Sequence, residues 1–106
     1  MTLNEPSREE IDRLVEPTML EFGASWCGVC AATQPAIAAA VAQHPGVGHI
    51  RIEDGSGRPL GRSFGVKLWP TLVFVRGGIE RERLVRPRSR EEIASALQRL
   101  VAAPFP

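Results

Sequence analysis

The only two cysteines of the 106-residue sequence stand three positions apart, in the run Trp26-Cys27-Gly28-Val29-Cys30. A disulfide between them would close so short a loop that it would remove little chain entropy from the unfolded protein, which argues against a structural cross-link. Cysteines at positions i and i+3 of a helix start face the same side, with Cα atoms close enough to bridge. The spacing therefore predicts a redox pair that carries out thiol-disulfide exchange.

Cys27 is predicted to be the nucleophile of the pair. In the first turn of a helix, unpaired backbone N–H groups and the helix dipole favour an anion, so the more N-terminal sulfur should become a thiolate at lower pH. Cys30 would then resolve the mixed disulfide. Gly28 lets a substrate backbone approach, and Trp26 lends an apolar wall beside the nucleophile.

A structural zinc site is the alternative for the cysteines, because Cys-x-x-Cys is half of many zinc sites. The other half is absent, since the sequence has no further cysteine and its two histidines, His44 and His49, flank a Pro-Gly turn. We predict no metal ligand and no cofactor. His44 is interpreted as a helix C-terminal residue, and His49 as a strand residue.

The cysteines lie where a predicted strand, Thr18 to Ala24, passes into an alanine-rich helix from about Gly28 to Gln43. A helix from about residue 7 to 16 is predicted by a capping box at Ser7 and Glu10, with Ile11, Leu14 and Val15 at helical spacing on its apolar face. Further along the chain, Gly77-Gly78 is a hairpin signal between two predicted strands. The remaining predicted elements are a strand from Val47 to Glu53, a short helical piece through Phe64, a strand from Thr71 to Val75, a return strand from about Ile79 to Arg86 and a helix beginning at Ser89. Alternating strands and helices predict an α/β fold with a partly parallel sheet and an antiparallel edge.

Composition is typical of one folded domain spanning residues 1–106, with 43% hydrophobic and 24% charged residues. A formal charge of +1 argues against nucleic acid as a partner. No stretch approaches the roughly 18 apolar residues that span a membrane. The first residues lack a basic segment followed by an apolar one, so we expect a cytoplasmic protein, and we expect Pro104 to Pro106 to fray.

The run from Phe22 to Cys30 resembles the active-site segment of thioredoxins, and the resemblance extends without a gap from about Met19 to Val75. It implies a thioredoxin fold, with a central mixed β-sheet of about four strands flanked by helices on both faces. Only Thr2 to Asn4 are available for the family's first edge strand, which is therefore expected to be reduced or missing. The implied partners are disulfide-containing protein substrates and an upstream disulfide reductase, and a monomer is the expected state.

The resemblance also implies roles for residues around the cysteines. Glu21 matches a buried carboxylate that assists proton transfer at Cys30, and Arg51 stands where the family usually has a lysine near that acid. Pro35 matches a proline that kinks the active-site helix, and Pro70 matches a cis-proline that packs opposite the disulfide. The residues expected to line the substrate groove are Trp26, Gly28, Val29, Trp69, Pro70, Thr71 and Arg86.

Several positions depart from the family pattern. Val29 and Ala31 replace a proline and a lysine, so the couple is expected to be more oxidising than that of a general reductant. Gly23 replaces an aromatic residue and Trp69 a smaller one, which predicts that aromatic surface has moved within the groove. Arg86 replaces a glycine, and a cation there would favour acidic substrates or stabilise the Cys27 thiolate.

Some alternatives remain open from the sequence. Glu21 could be a half-exposed strand residue, and Arg51 could pair with it and hold it ionised or could be an exposed cation. The arginines of the return strand fit an edge protected by charge, with an acidic protein partner as the other interpretation. The other functions are a binding module with a redox-sensitive latch and a glutathione-dependent enzyme. The direction of electron flow is open.

Overall fold

The computed structural model describes residues 5–102, in which helices and strands alternate as predicted. Their order is α1 (Arg8–Asp12), β1 (Thr18–Gly23), α2 (Gly28–Ala42), β2 (Gly48–Glu53), α3 (Pro59–Ser63), β3 (Thr71–Arg76), β4 (Ile79–Val85) and α4 (Arg90–Ala102). No helix within this range is long and apolar enough to cross a membrane. The expectations for Thr2 to Asn4 and for Pro104 to Pro106 concern residues outside the described range.

The four strands form one mixed sheet in the order β2-β1-β3-β4. β1 runs parallel to β2 and antiparallel to β3, and β3 pairs with β4 as an antiparallel hairpin. β1 is therefore a central strand, and its residues Thr18 to Phe22 are buried. This burial explains why the strand is apolar on both faces and makes Glu21 its chemical exception.

Helices cover both faces of the sheet, as the resemblance implied. Alternate residues of β1 and β3 face α2 and α4 on one side, where they form the first core cluster of Met19, Ile37, Ala40, Val47, Leu72, Phe74, Ile93, Ala96, Leu97 and Leu100. The opposite face packs against α1 and α3 in a second cluster of Ile11, Leu20, Phe22, Ile52, Leu60, Phe64, Val73 and Val75. The period of two along each strand thus divides its side chains between two cores.

α1 begins where the sequence predicted but is shorter. Ser7 and Glu10 form the predicted capping box. The helix nevertheless ends at Asp12 rather than near residue 16, and Val15, predicted on its apolar face, is 57% exposed. The backbone carbonyl of Val15 instead accepts a hydrogen bond from Gly77 N–H at 3.2 Å. Because Val15 bonds to the hairpin turn, the chain leaves the helix after Asp12 and continues into β1. The predicted helix end was therefore wrong.

The β3–β4 turn confirms the hairpin signal of Gly77-Gly78. Both glycines have positive φ angles, of 61° and 74°, which are the angles that a tight two-residue hairpin turn needs. A Cβ on Gly78 would also collide with the carbonyl oxygen of Asp12, so the turn fits against the end of α1 only with glycine. The arginines that follow are interleaved with acids, as in the pair between Arg83 and Glu80 at 2.6 Å.

Candidate active site

Cys27 is the N-cap residue of α2. Its backbone is extended, with φ −85° and ψ 114°, so its side chain turns back over the first turn, where Sγ accepts a hydrogen bond from Cys30 N–H at 3.1 Å. The sulfur occupies the place that a Ser, Thr or Asp oxygen usually takes at a helix start. No acidic side chain lies in this first turn. The positive end of the helix dipole is therefore available to a Cys27 thiolate.

The two free thiols have pKa shifts in opposite directions. Burial acts to raise the pKa of Cys27, but hydrogen bonds from the Cys30 side chain and from the backbone at Cys30 and Val29, together with the charge of Arg86, outweigh it and lower the pKa. Burial raises the pKa of Cys30 to about 11, and its hydrogen bond with Cys27 and the negative charge of Glu21 add to the rise. Cys27 thus ionises first, as predicted.

Cys30 is buried against the end of β1, beside an open cavity. A Cβ placed on Gly23 would lie 3.0 Å from Cys30 Sγ, so glycine leaves the room that this sulfur occupies. The cavity has a volume of about 630 Å³ and is lined by Glu21, Gly23, Ala24, Ser25, Cys30, Arg51, Ile52, Glu53 and Arg58. The cavity is open to solvent and has room for water, so Cys30 and Glu21 border one space that water can enter.

Glu21 is 4% exposed, so the buried alternative is confirmed. Its Oε1 lies 2.7 Å from Nε2 of His49, and its Oε2 accepts a hydrogen bond from the side-chain amide of Gln34. Arg51 Nε is 3.6 Å from the same Oε2, which confirms that Arg51 stands near the acid. Three side chains from two elements thus surround one buried carboxylate, as a buried charge requires.

Two tryptophans form an apolar wall beside Cys27. Trp26 is 75% exposed, and its ring lies edge-on to that of Trp69 with centroids 5.3 Å apart. Trp69 Nε1 donates a hydrogen bond to Asp54 Oδ2 at 2.9 Å, which fixes the second ring. The predicted aromatic surface on the Trp69 side of the groove is therefore present, while the end of β1 has only Gly23.

The segment from Trp69 to Thr71 closes the site on the side of β3. The peptide bond between Trp69 and Pro70 is cis, as the resemblance implied. Thr71, however, is 1% exposed, and its hydroxyl donates to the carbonyl of Leu68 at 2.6 Å. The expectation that Thr71 lines the groove is corrected, because its side chain is turned into the fold and its hydrogen bond is already made.

Arg86 is held against this segment in an unusual backbone conformation. Its φ is 53°, in the left-handed region that favours glycine. Its backbone N–H donates to Pro70 O at 2.9 Å, and its Nε donates to Trp69 O at 2.8 Å. Within residues 5–102 no carboxylate lies within ion-pair distance of Arg86. Its positive charge therefore remains available to Cys27 and to a bound substrate.

Comparison with known proteins agrees with this geometry. The family model described as Thioredoxin matches residues 3–99. The chain belongs to the thioredoxin family. The solved structure of reduced thioredoxin 2 from Pseudomonas aeruginosa PAO1 is 51% identical, with a TM-score of 0.85 over 95% of this chain and 94% of the other. The thioredoxin of Chlamydia muridarum is 32% identical over 76% of this chain and 79% of its own length. Human protein disulfide-isomerase A2 is 37% identical over 78% of this chain, which spans 17% of that protein.

Membership of the thioredoxin family fixes the reaction class. The chain is a thioredoxin-like protein-disulfide oxidoreductase with a Cys-x-x-Cys motif. Thioredoxins act on disulfide-containing substrates and are in turn reduced by a reductase. Among the described residues, no group of three His, Cys, Asp or Glu side chains is placed to hold a metal ion.

The thioredoxin site contains three residues that sequence reasoning missed, namely Gln34, His49 and Asp54. Gln34 follows Cys30 by four positions on α2, a spacing that places both on one helix face and that could have indicated it. His49 lies on the same strand as Arg51, two positions before it, and so on the same face of the sheet. Asp54 follows β2 in a loop, and no sequence signal connects it with Trp69.

Proposed function

We propose that this protein exchanges disulfides with protein substrates through a Cys27–Cys30 dithiol-disulfide couple. The observation that carries the proposal is the position of Cys27 at the N-cap of α2, where its pKa is lowered while that of the neighbouring Cys30 is raised to about 11. One sulfur is thus prepared to attack and the other is kept protonated until it is needed.

In the first step the Cys27 thiolate attacks one sulfur of a substrate disulfide. A new bond forms between Cys27 Sγ and that sulfur, the substrate S–S bond breaks, and the second substrate sulfur leaves as a thiolate that takes a proton from water. Trp26 and Val29 are exposed on the protein surface beside Cys27 and provide apolar contact for the substrate chain. Gly28 offers no steric obstacle, since a Cβ there would meet nothing within 4 Å.

In the second step Cys30 loses its proton and attacks Cys27 Sγ. The Cys27–Cys30 disulfide forms, the mixed disulfide breaks, and the substrate leaves as a dithiol that has gained two electrons and two protons. With a pKa of about 11, Cys30 in the free dithiol is ionised on the order of once in ten thousand molecules at pH 7. A base is therefore needed, and we assign that role to Glu21, with Arg51 beside it.

We further propose acidic sequence around the substrate disulfide. The support is the positive charge of Arg86, which helps to lower the pKa of Cys27. Within the described range, Arg86 has no acidic partner of its own. A carboxylate on the substrate would supply that partner. Trp69 and Pro70 position Arg86 through their carbonyl oxygens, so its place in the groove is fixed before a substrate binds.

The test is the reduction potential of the couple, measured by equilibrating the protein in graded dithiothreitol or glutathione buffers. A value near about −270 mV would identify a disulfide reductant, and a value near about −180 mV or above would identify an isomerase or an oxidant. Val29 in place of proline leads us to expect a value between these two. Failure to form any reversible intramolecular disulfide would overturn the proposal.

Two variants separate this enzyme from a binding module. Cys30→Ser should accumulate the mixed disulfide between Cys27 and a substrate, whereas Cys27→Ser should form none, although both fold. Unchanged biological function of Cys27→Ser would favour the binding module. Turnover that requires glutathione, and not a dithiol reductant, would favour the glutathione-dependent enzyme.

A further inference from the structure

His49 lies between the buried Glu21 and the protein surface. Its Nε2 lies 2.7 Å from Glu21 Oε1, and its side chain is 23% exposed where that of Glu21 is 4% exposed. The imidazole therefore contacts the carboxylate on one side and reaches the protein surface on the other. Imidazole is the side chain whose charge ordinarily changes between pH 5 and 8, and it moves protons between its two nitrogens and water.

The hydrogen bonds of Glu21 determine which of its oxygens can take a proton. A carboxylate offers about four lone-pair positions, two on each oxygen. The Gln34 amide and the Arg51 guanidinium, which can only donate, both lie at Oε2. Among residues 5–102, Oε1 has His49 as its one partner, so it keeps a free lone pair and is the oxygen that can accept a further proton. A proton taken up by Glu21 is thus placed next to an imidazole.

The cavity joins this pair to the sulfur that must lose a proton. Cys30 and Glu21 both line it, together with Gly23, whose missing side chain leaves the space open. Water that enters this cavity can carry a proton from Cys30 Sγ to Glu21 without a direct contact between them. Cys30 and Glu21 thus share a cavity, and Glu21 and His49 are in hydrogen-bond contact.

We propose that His49, acting through Glu21, is the outlet for the proton that Cys30 gives up when it resolves the mixed disulfide. This inference rests on the proposed function. The Cys30 S–H proton passes through cavity water to Glu21 Oε1. His49, in the tautomer with its proton on Nδ1, accepts it at Nε2 and releases the Nδ1 proton to solvent. The sulfur electron pair left on Cys30 forms the bond to Cys27, and the substrate thiolate leaves. His49 touches neither sulfur and is a positioning residue.

The direction in which the resolution rate changes with pH depends on the groups that face Glu21 and His49. Glu21 of β1, Arg51 of β2 and Cys30 of α2 face the path, and Glu53 and Arg58 line the cavity. An imidazole that carries a proton on both nitrogens cannot accept another from Glu21. The resolution rate should therefore rise with pH, whereas the first attack by Cys27 should be insensitive to this histidine.

The experiment uses 5,5′-dithiobis(2-nitrobenzoate) as the disulfide, because each step releases one coloured thiolate. In rapid mixing the first release reports the Cys27 attack, and the second reports resolution by Cys30. His49→Gln keeps a side chain that can hydrogen-bond Glu21 Oε1 but cannot pass a proton from one nitrogen to another. We expect it to slow the second phase by about tenfold at pH 7.5 and to leave only the steady rise with pH that ionisation of Cys30 itself produces, with the first phase unchanged.

His44→Gln is the matched control, because His44 follows the C-cap residue of α2 and is not among the described hydrogen-bond and ion-pair partners of Glu21. It should leave both phases unchanged. In a Glu21→Gln background, His49→Gln should cause no further slowing, because the proton then never reaches the imidazole. A second phase in His49→Gln with the rate and pH profile of the unaltered protein would overturn the inference and leave the proposed function standing.

The role of His49 can also be tested on the unaltered protein, so that the test does not depend on the folding of a variant. The midpoint of the His49 ring-proton titration, followed by NMR in the dithiol form, should coincide with the pH midpoint of the second phase. Separate midpoints would overturn the role of His49. If the unaltered protein released only one thiolate, the Cys27–Cys30 couple itself would fail, which is an outcome distinct from a failure at His49.

Discussion

Phe74 and Glu21 lie on the same face of the sheet, under the same helix α2, and both are buried. Phe74 is surrounded by apolar side chains such as Ile37 and Leu97, and nothing in its surroundings requires a polar partner. Glu21 is surrounded by Gln34, His49 and Arg51, and it borders a cavity of about 630 Å³. One face of one sheet thus contains an apolar cluster and a region built around a buried carboxylate, which we call the polar region.

Strand β1 and helix α2 contribute residues to both regions, so core residues and site residues are close neighbours in the sequence. Met19 and Glu21 are two residues apart on β1, so they share a face, yet one belongs to the apolar core and the other to the site. On α2, Cys30, Gln34 and Ile37 follow the helical spacing of four and three residues. On α2 the apolar core thus begins within one helical turn of the polar region, and the packing of the core holds the polar side chains in position.

The largest expected difference between the regions is in stability. Phe74→Ala should lower the free energy of unfolding by about 3–5 kcal/mol, because the side chain is fully buried and leaves a cavity in close-packed surroundings. Urea unfolding measures this loss. The folded variant should keep both phases of thiolate release, since Phe74 belongs to the apolar cluster and does not line the cavity beside Glu21 and Cys30.

Val101→Ala is the control for that loss, because Val101 is exposed at the end of α4 and should change stability by no more than about 0.5 kcal/mol. Equal losses in the two variants would contradict the division into regions. A folded Phe74→Ala protein that had lost its second phase would show that the apolar core takes part in the chemistry.

The second difference lies within the polar region, between its two thiols. The pKa of Cys27 is lowered below that of an ordinary thiol, whereas the pKa of Cys30 is raised to about 11, so at pH 8 the thiolate fraction of Cys27 far exceeds that of Cys30. Because only the thiolate reacts, iodoacetamide at pH 8 should modify Cys27 about a hundredfold or more faster than Cys30. Peptide mass spectrometry of the two sites measures the ratio.

Unfolding the protein in guanidinium chloride provides the control for the thiols. Without the N-cap hydrogen bond and without burial, the two cysteines should react at similar rates and with similar pH midpoints. If the hundredfold ratio persisted in the unfolded chain, the difference would come from neighbouring residues in the sequence and not from the fold.

The features that the sequence predicted are those that depend on short spacing. The start of α2 at Cys27 follows from a strand, a turn and a pair of cysteines three residues apart, and the capping box at Ser7 follows from four residues. The end of α1 could not be predicted, because it depends on the contact of Val15 with Gly77 across the fold. The burial of Glu21 was indicated by its apolar neighbours.

The partners of Glu21 and Trp69 show where sequence reasoning stops. The role of His49 depends on the register that pairs β1 with β2, which no local pattern specifies. The bond from Trp69 to Asp54 depends on a loop whose path is set by α3, where a Cβ on Gly61 would collide with the Asp54 carboxylate. Thr71 was placed in the groove because it follows Pro70, yet the pleat of β3 turns its side chain inward.

The smallest expected effect lies at the edge of the polar region, at Arg86. In Arg86→Ala the backbone at position 86 keeps a φ of 53°, which is sterically unfavourable for any residue with a Cβ. Arg86→Gly removes that steric cost. Arg86→Gly should therefore be more stable than Arg86→Ala by about 1 kcal/mol in urea unfolding. Both variants remove the cation, so both should raise the pH midpoint of Cys27 alkylation equally, and by a small amount because the hydrogen bonds from Cys30 and Val29 lower the pKa of Cys27 more than Arg86 does.

Arg88→Ala separates these effects from a general loss of positive charge on the same loop. Arg88 is exposed and is absent from the groups that shift the pKa of Cys27, so its replacement should change neither stability nor the alkylation midpoint by a measurable amount. Equal stabilities of the glycine and alanine variants would mean that no backbone strain is stored at position 86. A midpoint that moved as much in Arg88→Ala would mean that Cys27 senses the overall charge of the loop, and the polar region would then extend beyond the groove.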